Sequence, residues 1–345
     1  MRAVQLMTHG SPGEFRLADR PDLHPGADEV VVDVRACGLN RLDLWLEEGK
    51  LPVKVSLPRI PGGEIAGVIS ELGADVDEWR LGDRVAVQSN LFCGLCEFCL
   101  RGDESICLSG ALLGVDRDGG FAEKVVVPGR GLVALPPEVD FASSAALTLA
   151  GSTAMHMLTN RAEVRSADWV LVMAGASGVG SIAIQIAKQL GANVITTGST
   201  EAKRAFGLSL GADHALDSST PGWPAEVRRI TAKRGVDVVI EHVGGPVLEQ
   251  AFHCLARGGT IVTCGATAGR EITLNLWPFF VKQQQLVGSY GRNRADMKAT
   301  LEWAAVGRIK PVIHQTFGLH EIPDALAMLR DRNVLGKIIV AIPPA

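Results

Sequence analysis

The first third of the chain sets short apolar runs between glycines and prolines. Glu29-Val-Val-Val-Asp-Val-Arg35, Ala66-Gly-Val-Ile-Ser-Glu-Leu72 and Arg84-Val-Ala-Val-Gln88 read as strands, with turn signals such as Gly82-Asp83 between them. Many short strands cut in this way predict a small barrel or sandwich. Near residue 140 the pattern changes. Apolar strands over 169–173, 193–197, 236–241 and 260–263 alternate with helical patterns over 179–190, 201–210, 224–233 and 247–255. That alternation predicts a parallel sheet covered on both faces. After about residue 290 the pattern is mixed again. A helix over 294–306 and a last strand over 337–342 are expected to return to the first domain. The chain thus reads as an α/β protein with one domain over 1–140 and 288–345 and a second over 141–287. No internal repeat or low-complexity linker interrupts it.

Composition narrows the function classes. The 345 residues are 47% hydrophobic and 21% charged, enough for two domains with substantial cores. The net charge of −4, with no block of basic residues, gives no electrostatic reason to expect nucleic acid or an anionic membrane as partner. The run Met1-Arg2-Ala3-Val4-Gln5-Leu6 has the texture of a strand rather than a signal peptide, and no apolar run reaches membrane-spanning length. A small-molecule substrate and a reducing cytoplasm are the expectation, the latter because the cysteines look like metal ligands.

Four of the seven cysteines carry that inference: Cys93, Cys96, Cys99 and Cys107, spaced C-x2-C-x2-C-x7-C. Two-residue gaps let consecutive sulfurs turn onto one centre, and four thiolates match the tetrahedral preference of zinc with no position left for substrate. Disulfides fit less well, because nothing suggests secretion and closely spaced cysteines would compete for partners. One structural zinc ion per chain is expected.

The second chemical signal is Val170-Leu-Val-Met-Ala-Gly175-Ala-Ser177-Gly178-Val179-Gly180, followed by an amphipathic helix. Gly175 suits a tight turn. Gly178 and Gly180, on either side of Val179, let the backbone approach a diphosphate and the helix pack on the strand, and the free N–H groups and positive dipole end of the helix N-terminus attract that diphosphate. In strict G-x-G-x-x-G register the middle glycine is replaced by Ser177. An NAD site would place an acid at the end of the next strand to hold the ribose hydroxyls; here Thr197 and Gly198 stand there. Ser199, Thr200, Lys203 and Arg204 follow and offer donors and positive charge to a 2′-phosphate. The plainer alternative is a helix cap with solvated basic residues behind it. NADPH is expected in preference to NADH.

Taken together with Gly38-Leu-Asn40-Arg-Leu-Asp43, Pro61-Gly-Gly-Glu64-Ile-Ala-Gly67 and Gly82-Asp-Arg-Val85, these motifs resemble the medium-chain dehydrogenase/reductase superfamily over essentially the full length. The resemblance implies a GroES-like barrel carrying the zinc lobe, a Rossmann domain, an active site in the cleft between them, and a homodimer or homotetramer. It also implies hydride transfer between a nicotinamide and a carbonyl, alcohol, quinone or enone. Zinc-dependent members hold a second, catalytic zinc through a cysteine, a histidine and a cysteine or acid. Cys37 matches the first ligand, but Gly63 stands where the histidine would be and Leu149 at the third place. Neither side chain can ligate a metal. The resemblance is therefore to the quinone oxidoreductase-like branch, with the structural zinc kept.

The reading that follows is an NADPH-dependent reductase of a quinone, an enone or another activated carbonyl. Asn40 and Asp43 are the candidates for orienting substrate or the nicotinamide ribose. Tyr290, the only tyrosine, is a candidate proton donor or else a packing aromatic. His242 and His156 read better as structural histidines. Two rivals stay open. One is an alcohol dehydrogenase with a relocated zinc on Cys37, Glu64 and Asp43. The other is a nucleotide-binding protein without catalysis.

Overall fold

Strand Glu29–Gly38 buries nearly its whole length, including Val30, Val31, Val32 and Val34, because neighbours cover both its faces. It is the centre of a seven-stranded sheet. On one side of it come Lys337–Ala341 and then Ile313–Gly318; on the other come Glu64–Leu72, Arg84–Val87 and Leu132–Ala134, and Lys124–Pro128 also pairs with it. The register sets Gly38 opposite Glu64 and Ile339, and Cys37 opposite Ile65 and Val340. The start of the last strand, the end of the central strand and the start of Glu64–Leu72 are thereby brought to one place. Val32, Val34, Ile65, Val85, Val87, Phe121 and Ile338 form part of the core around them.

This computed structural model describes residues 1–344. The chain divides into two compact units: Met1–Ser152 with the segment from Arg292 onward, and Thr153–Gly291. Helix Phe141–Thr148, capped by Asp140, belongs to the first unit rather than to the second as the sequence suggested. Its small residues Ala145 and Ala146 let it lie close on Ala36, Ala66 and Ile339 of the sheet. The last strand and helix Arg294–Ala305 also join the first unit.

In the second unit the parallel strands are β1 (Trp169–Val172), β2 (Asn193–Thr197), β3 (His214–Leu216), β4 (Val236–Glu241), β5 (Leu255–Thr263) and β6 (Gln285–Gly288). Helix α1 (Gly178–Gln189) follows β1 and α2 (Glu201–Ser209) follows β2. The strands run in the order β3-β2-β1-β4-β5-β6. The chain leaves β1 toward β2 and returns on the other side as β4, so the order reverses between β1 and β4. Ligands of such sheets bind beyond the carboxyl ends of the strands at that switch point. The helix predicted over 247–255 is shorter, Gly245–Ala251 with one further turn at Phe252–Cys254, because Leu255 is already paired in the sheet opposite Val236. Among the described residues, no helix is long and apolar enough to cross a membrane.

Candidate active-site and metal-binding residues

The four predicted cysteines converge. Their sulfurs all lie within 4.8 Å of one another, with Cys96 to Cys99 at 3.5 Å and Cys93 to Cys99 and Cys96 to Cys107 at 3.9 Å. A tetrahedron with Zn–S bonds of about 2.3 Å has sulfur–sulfur edges of about 3.8 Å, close to these three distances. Backbone N–H groups already point at the sulfurs: Leu95 and Cys96 donate to Cys93 Sγ, and Cys93 donates to Cys107 Sγ. Hydrogen bonds from the backbone of Leu108 and Cys99 hold the Cys96 thiol down to about 6, toward the thiolate that a metal requires. The lobe turns Leu95, Leu100 and Leu108 outward, so apolar burial does little to hold it. It is tied to the first unit by Asn293 Oδ1, which accepts the Ser105 N–H at the start of helix Arg294–Ala305.

The second constellation gathers Asn40, Asp43, Glu64 and Lys337 beside Cys37. Glu64 is fully buried, and Lys337 is 4% exposed. Glu64 Oε1 accepts the backbone N–H groups of Leu149 and Ala150 at 2.9 and 2.8 Å. Its Oε2 accepts Asn40 Nδ2 at 2.9 Å and meets Lys337 Nζ at 2.5 Å. The three protons of Lys337 are spent on Glu64 Oε2, the Leu39 carbonyl and Asn40 Oδ1. A Cβ on Gly38 would collide with Glu64 Oε2, so this close approach requires glycine there. Asp43 accepts the Asn40 N–H at 2.8 Å, and burial pushes its carboxyl up to about 6. Burial raises the Cys37 thiol well above its ordinary value.

These contacts fill the four lone-pair positions of the Glu64 carboxylate. Leu149 enters the network only through its backbone, and Gly63 has no side chain to offer. Among the described residues, the four-cysteine set is the single cluster of three or more His, Cys, Asp or Glu ligands, and Cys37, Asp43 and Glu64 do not form another. The residues present do not fit a metal at this place. Asn40 and Asp43, predicted to orient substrate, are built into this network, Asp43 being buried. Lys337 was not anticipated. Its sequence signal is a lone charge opening the apolar run Lys337-Ile-Ile-Val-Ala341.

In the second unit, Ser177 caps α1. Its Oγ accepts the Gly180 N–H at 2.9 Å, while Gly178 and Val179 occupy the first two helical positions, whose N–H groups have no partner within a helix. The turn differs from expectation in one respect. The left-handed residue is Ala174 (φ 47°), and Gly175 is required instead because a Cβ there would collide with Thr196 Oγ1. Thr197 anchors the turn, its hydroxyl taking the Ala174 N–H and its carbonyl the Gly175 N–H. A strand, a tight turn and a capped helix beside the switch point fit a dinucleotide diphosphate.

At the end of β2, Ser199 and Thr200 are exposed, and Thr200 caps α2 by accepting the Lys203 N–H. Arg204 is held by Asp217 at 3.0 Å and by the Gly198 carbonyl. With Glu201 also in the first turn of α2, Lys203 and Arg204 are matched by two carboxylates. Tyr290 belongs to this unit, where it is 59% exposed and so does not pack as an aromatic anchor. His156 is buried. His242 lies just beyond β4 against Ser177.

Residues 26–137 match the family model of the alcohol dehydrogenase GroES-like domain, and residues 178–306 that of the zinc-binding dehydrogenases. An alcohol dehydrogenase of Geobacillus stearothermophilus is 30% identical over 99% of this chain and 98% of its own. An acryloyl-coenzyme A reductase of Sulfurisphaera tokodaii is 30% identical over 97% of this chain and 98% of its own. Among solved structures, an NAD-dependent alcohol dehydrogenase superposes with a TM-score of 0.94 at 37% identity, over 99% of this chain and all of that one. With a GroES-like domain, a Rossmann domain, a nicotinamide site and a zinc lobe, the chain is an oxidoreductase of the medium-chain dehydrogenase/reductase superfamily.

Proposed function

We propose that this enzyme is an NADPH-dependent reductase of an electron-poor acceptor, such as an enone, a quinone or another activated carbonyl, acting without a catalytic zinc. The observation that carries the reading is Glu64. Its four hydrogen-bonding positions are filled by Leu149, Ala150, Asn40 and Lys337, and the two usual ligand places hold Gly63 and Leu149. The nicotinamide, when bound, supplies the hydride. Without a Lewis acid, developing negative charge on the acceptor must be met by hydrogen bonds, and acceptors that already delocalise charge need least help. The name of the acryloyl-coenzyme A reductase, a relative acting on a conjugated thioester, supports the enone class. Asn40 and Asp43 are assigned positioning roles, since their polar atoms are engaged within the protein.

NADPH is preferred in this reading because no carboxylate ends β2, and Ser199, Thr200, Lys203 and Arg204, which follow that strand end, offer donors and positive charge to a 2′-phosphate. The local charges balance, so the preference rests on directed hydrogen bonds and is expected to be modest, about tenfold. The NAD-dependent name of the 37% identical structure favours NADH as the second reading. Fluorescence titration with both reduced cofactors decides between them. A second copy of the chain is the proposed partner. Leu276, Trp277, Phe280 and Val281 are exposed on helix Leu276–Val281, which leads directly into the edge strand β6, where Leu286 is exposed too. Light scattering on the intact protein and on Trp277→Glu tests it.

The deciding experiment for the chemistry is NADPH oxidation across quinones, enones and aldehydes, set against NADP-dependent oxidation of primary alcohols. Faster turnover of conjugated acceptors is expected. Efficient alcohol oxidation that needs a second zinc would favour the rival metal site on Cys37, Glu64 and Asp43.

A further inference from the structure

The acid that is absent from the end of β2 stands one strand away. β2 and β3 are parallel, with Thr197 opposite Leu216, and the Gly198 N–H donates to the Leu216 carbonyl. Asp217, the next residue along, is therefore level with Gly198. Its Oδ1 accepts the N–H and the hydroxyl of Ser219 at 2.9 and 2.5 Å. Its Oδ2 pairs with Arg204 Nη1 at 3.0 Å, and the same nitrogen donates to the Gly198 carbonyl at 3.2 Å. Glycine at 198 lets the first turn of α2 lie this near, since a Cβ there would stand 3.0 Å from Lys203 Cβ and 3.1 Å from the Arg204 backbone nitrogen. One nitrogen thus pins the guanidinium at the strand end. Among the described residues, nothing is hydrogen-bonded to its Nε or Nη2. Both side chains are open to solvent, Arg204 at 26% and Asp217 at 32%, so a bound group can reach them. The hydrogen bonds from Ser219 hold the Asp217 carboxyl below its ordinary range, and it is charged at neutral pH. A 2′-phosphate brought to Arg204 therefore meets two opposed effects. The free guanidinium donors attract it, and the carboxylate beside them repels it. A ribose 2′-hydroxyl carries no charge and is not repelled.

We propose that Asp217 is a specificity-determining residue: its carboxylate, paired with Arg204, opposes the 2′-phosphate that the free nitrogens of Arg204 would receive, on the reading that the end of β2 carries the adenine ribose of the cofactor. Two variants of the pair then move the choice of cofactor in opposite directions. Asp217→Asn keeps an oxygen for Arg204 and removes the negative charge. It is expected to tighten NADPH about tenfold and to leave NADH within about threefold of the parent. Arg204→Gln is expected to weaken NADPH about tenfold and to leave NADH within the same threefold. Both reduced cofactors are titrated by nicotinamide fluorescence, with circular dichroism confirming that each variant is folded. Competition with 2′-AMP and 5′-AMP separates the phosphate from the rest of the nucleotide, and only 2′-AMP should follow NADPH in both variants. An Asp217→Asn protein whose ratio of NADPH to NADH affinity is unchanged would overturn the proposal. So would equal shifts for both cofactors or for both nucleotides, which a merely structural role would produce. If the wild-type protein binds NADH the more tightly, the NADPH reading falls alone, and Asp217→Asn must still move the ratio toward NADPH. Failure of the wild-type protein to bind either dinucleotide would overturn the cofactor site and the role of Asp217 with it.

Discussion

Lys337 and Glu64 show what a single buried pair can decide. Both charges are withdrawn from water, and each is repaid only because every donor and lone pair finds a partner. Lys337→Met should therefore destabilise the protein by about 3–5 kcal/mol in urea unfolding, since it strands a buried carboxylate. Adding Glu64→Gln should return part of that loss. An exposed pair would change by less than about 1 kcal/mol, so a loss that small would mean water reaches the site. Asp43 gives a pH test with a fixed sign. Its folded carboxyl titrates near 6, above its ordinary 3.8. The native state thus holds the proton more tightly, and Asp43 costs stability progressively as pH rises from about 4 to about 6. Asp43→Asn should flatten that interval of the stability curve. A curve of unchanged slope would assign the titration to another group.

At the scale of the element, the zinc lobe has little apolar burial, so its order must come from metal. Cys96→Ser should lower the zinc content and open the segment 93–107 to protease, while the core sheet keeps its circular dichroism. Rapid cleavage elsewhere in the first unit would instead show that the lobe and the sheet unfold together. The lobe was legible in the sequence because its ligands are local: four cysteines within one short segment define it. The strands and helices around the glycine loop were legible for the same reason, since β2 and β4 follow directly from apolar runs bounded by polar turns. What escaped were long-range pairings. Nothing near Lys337 announces Glu64, and only the sheet register brings them together. Helix Phe141–Thr148 went to the first unit because its alanines fit the sheet, a property of packing that periodicity does not carry. The contact between His242 and Ser177 escaped for the same reason, since 65 residues separate them.

The whole molecule combines a four-cysteine lobe suited to zinc, a dinucleotide site at a sheet switch point and a closed carboxylate network beside Cys37. A protein so built should hold one zinc per chain and keep its reductase chemistry without a second. The measurement that tests this most directly is a chelator titration followed by metal analysis and by NADPH oxidation with a conjugated enone, read on the same samples. About one zinc per chain is expected in the untreated protein. Turnover should hold while any loosely bound metal is removed and fall only as the four-cysteine ion leaves and the lobe opens. Two zinc ions per chain, with turnover lost as the first of them departs and the lobe still intact, would contradict it.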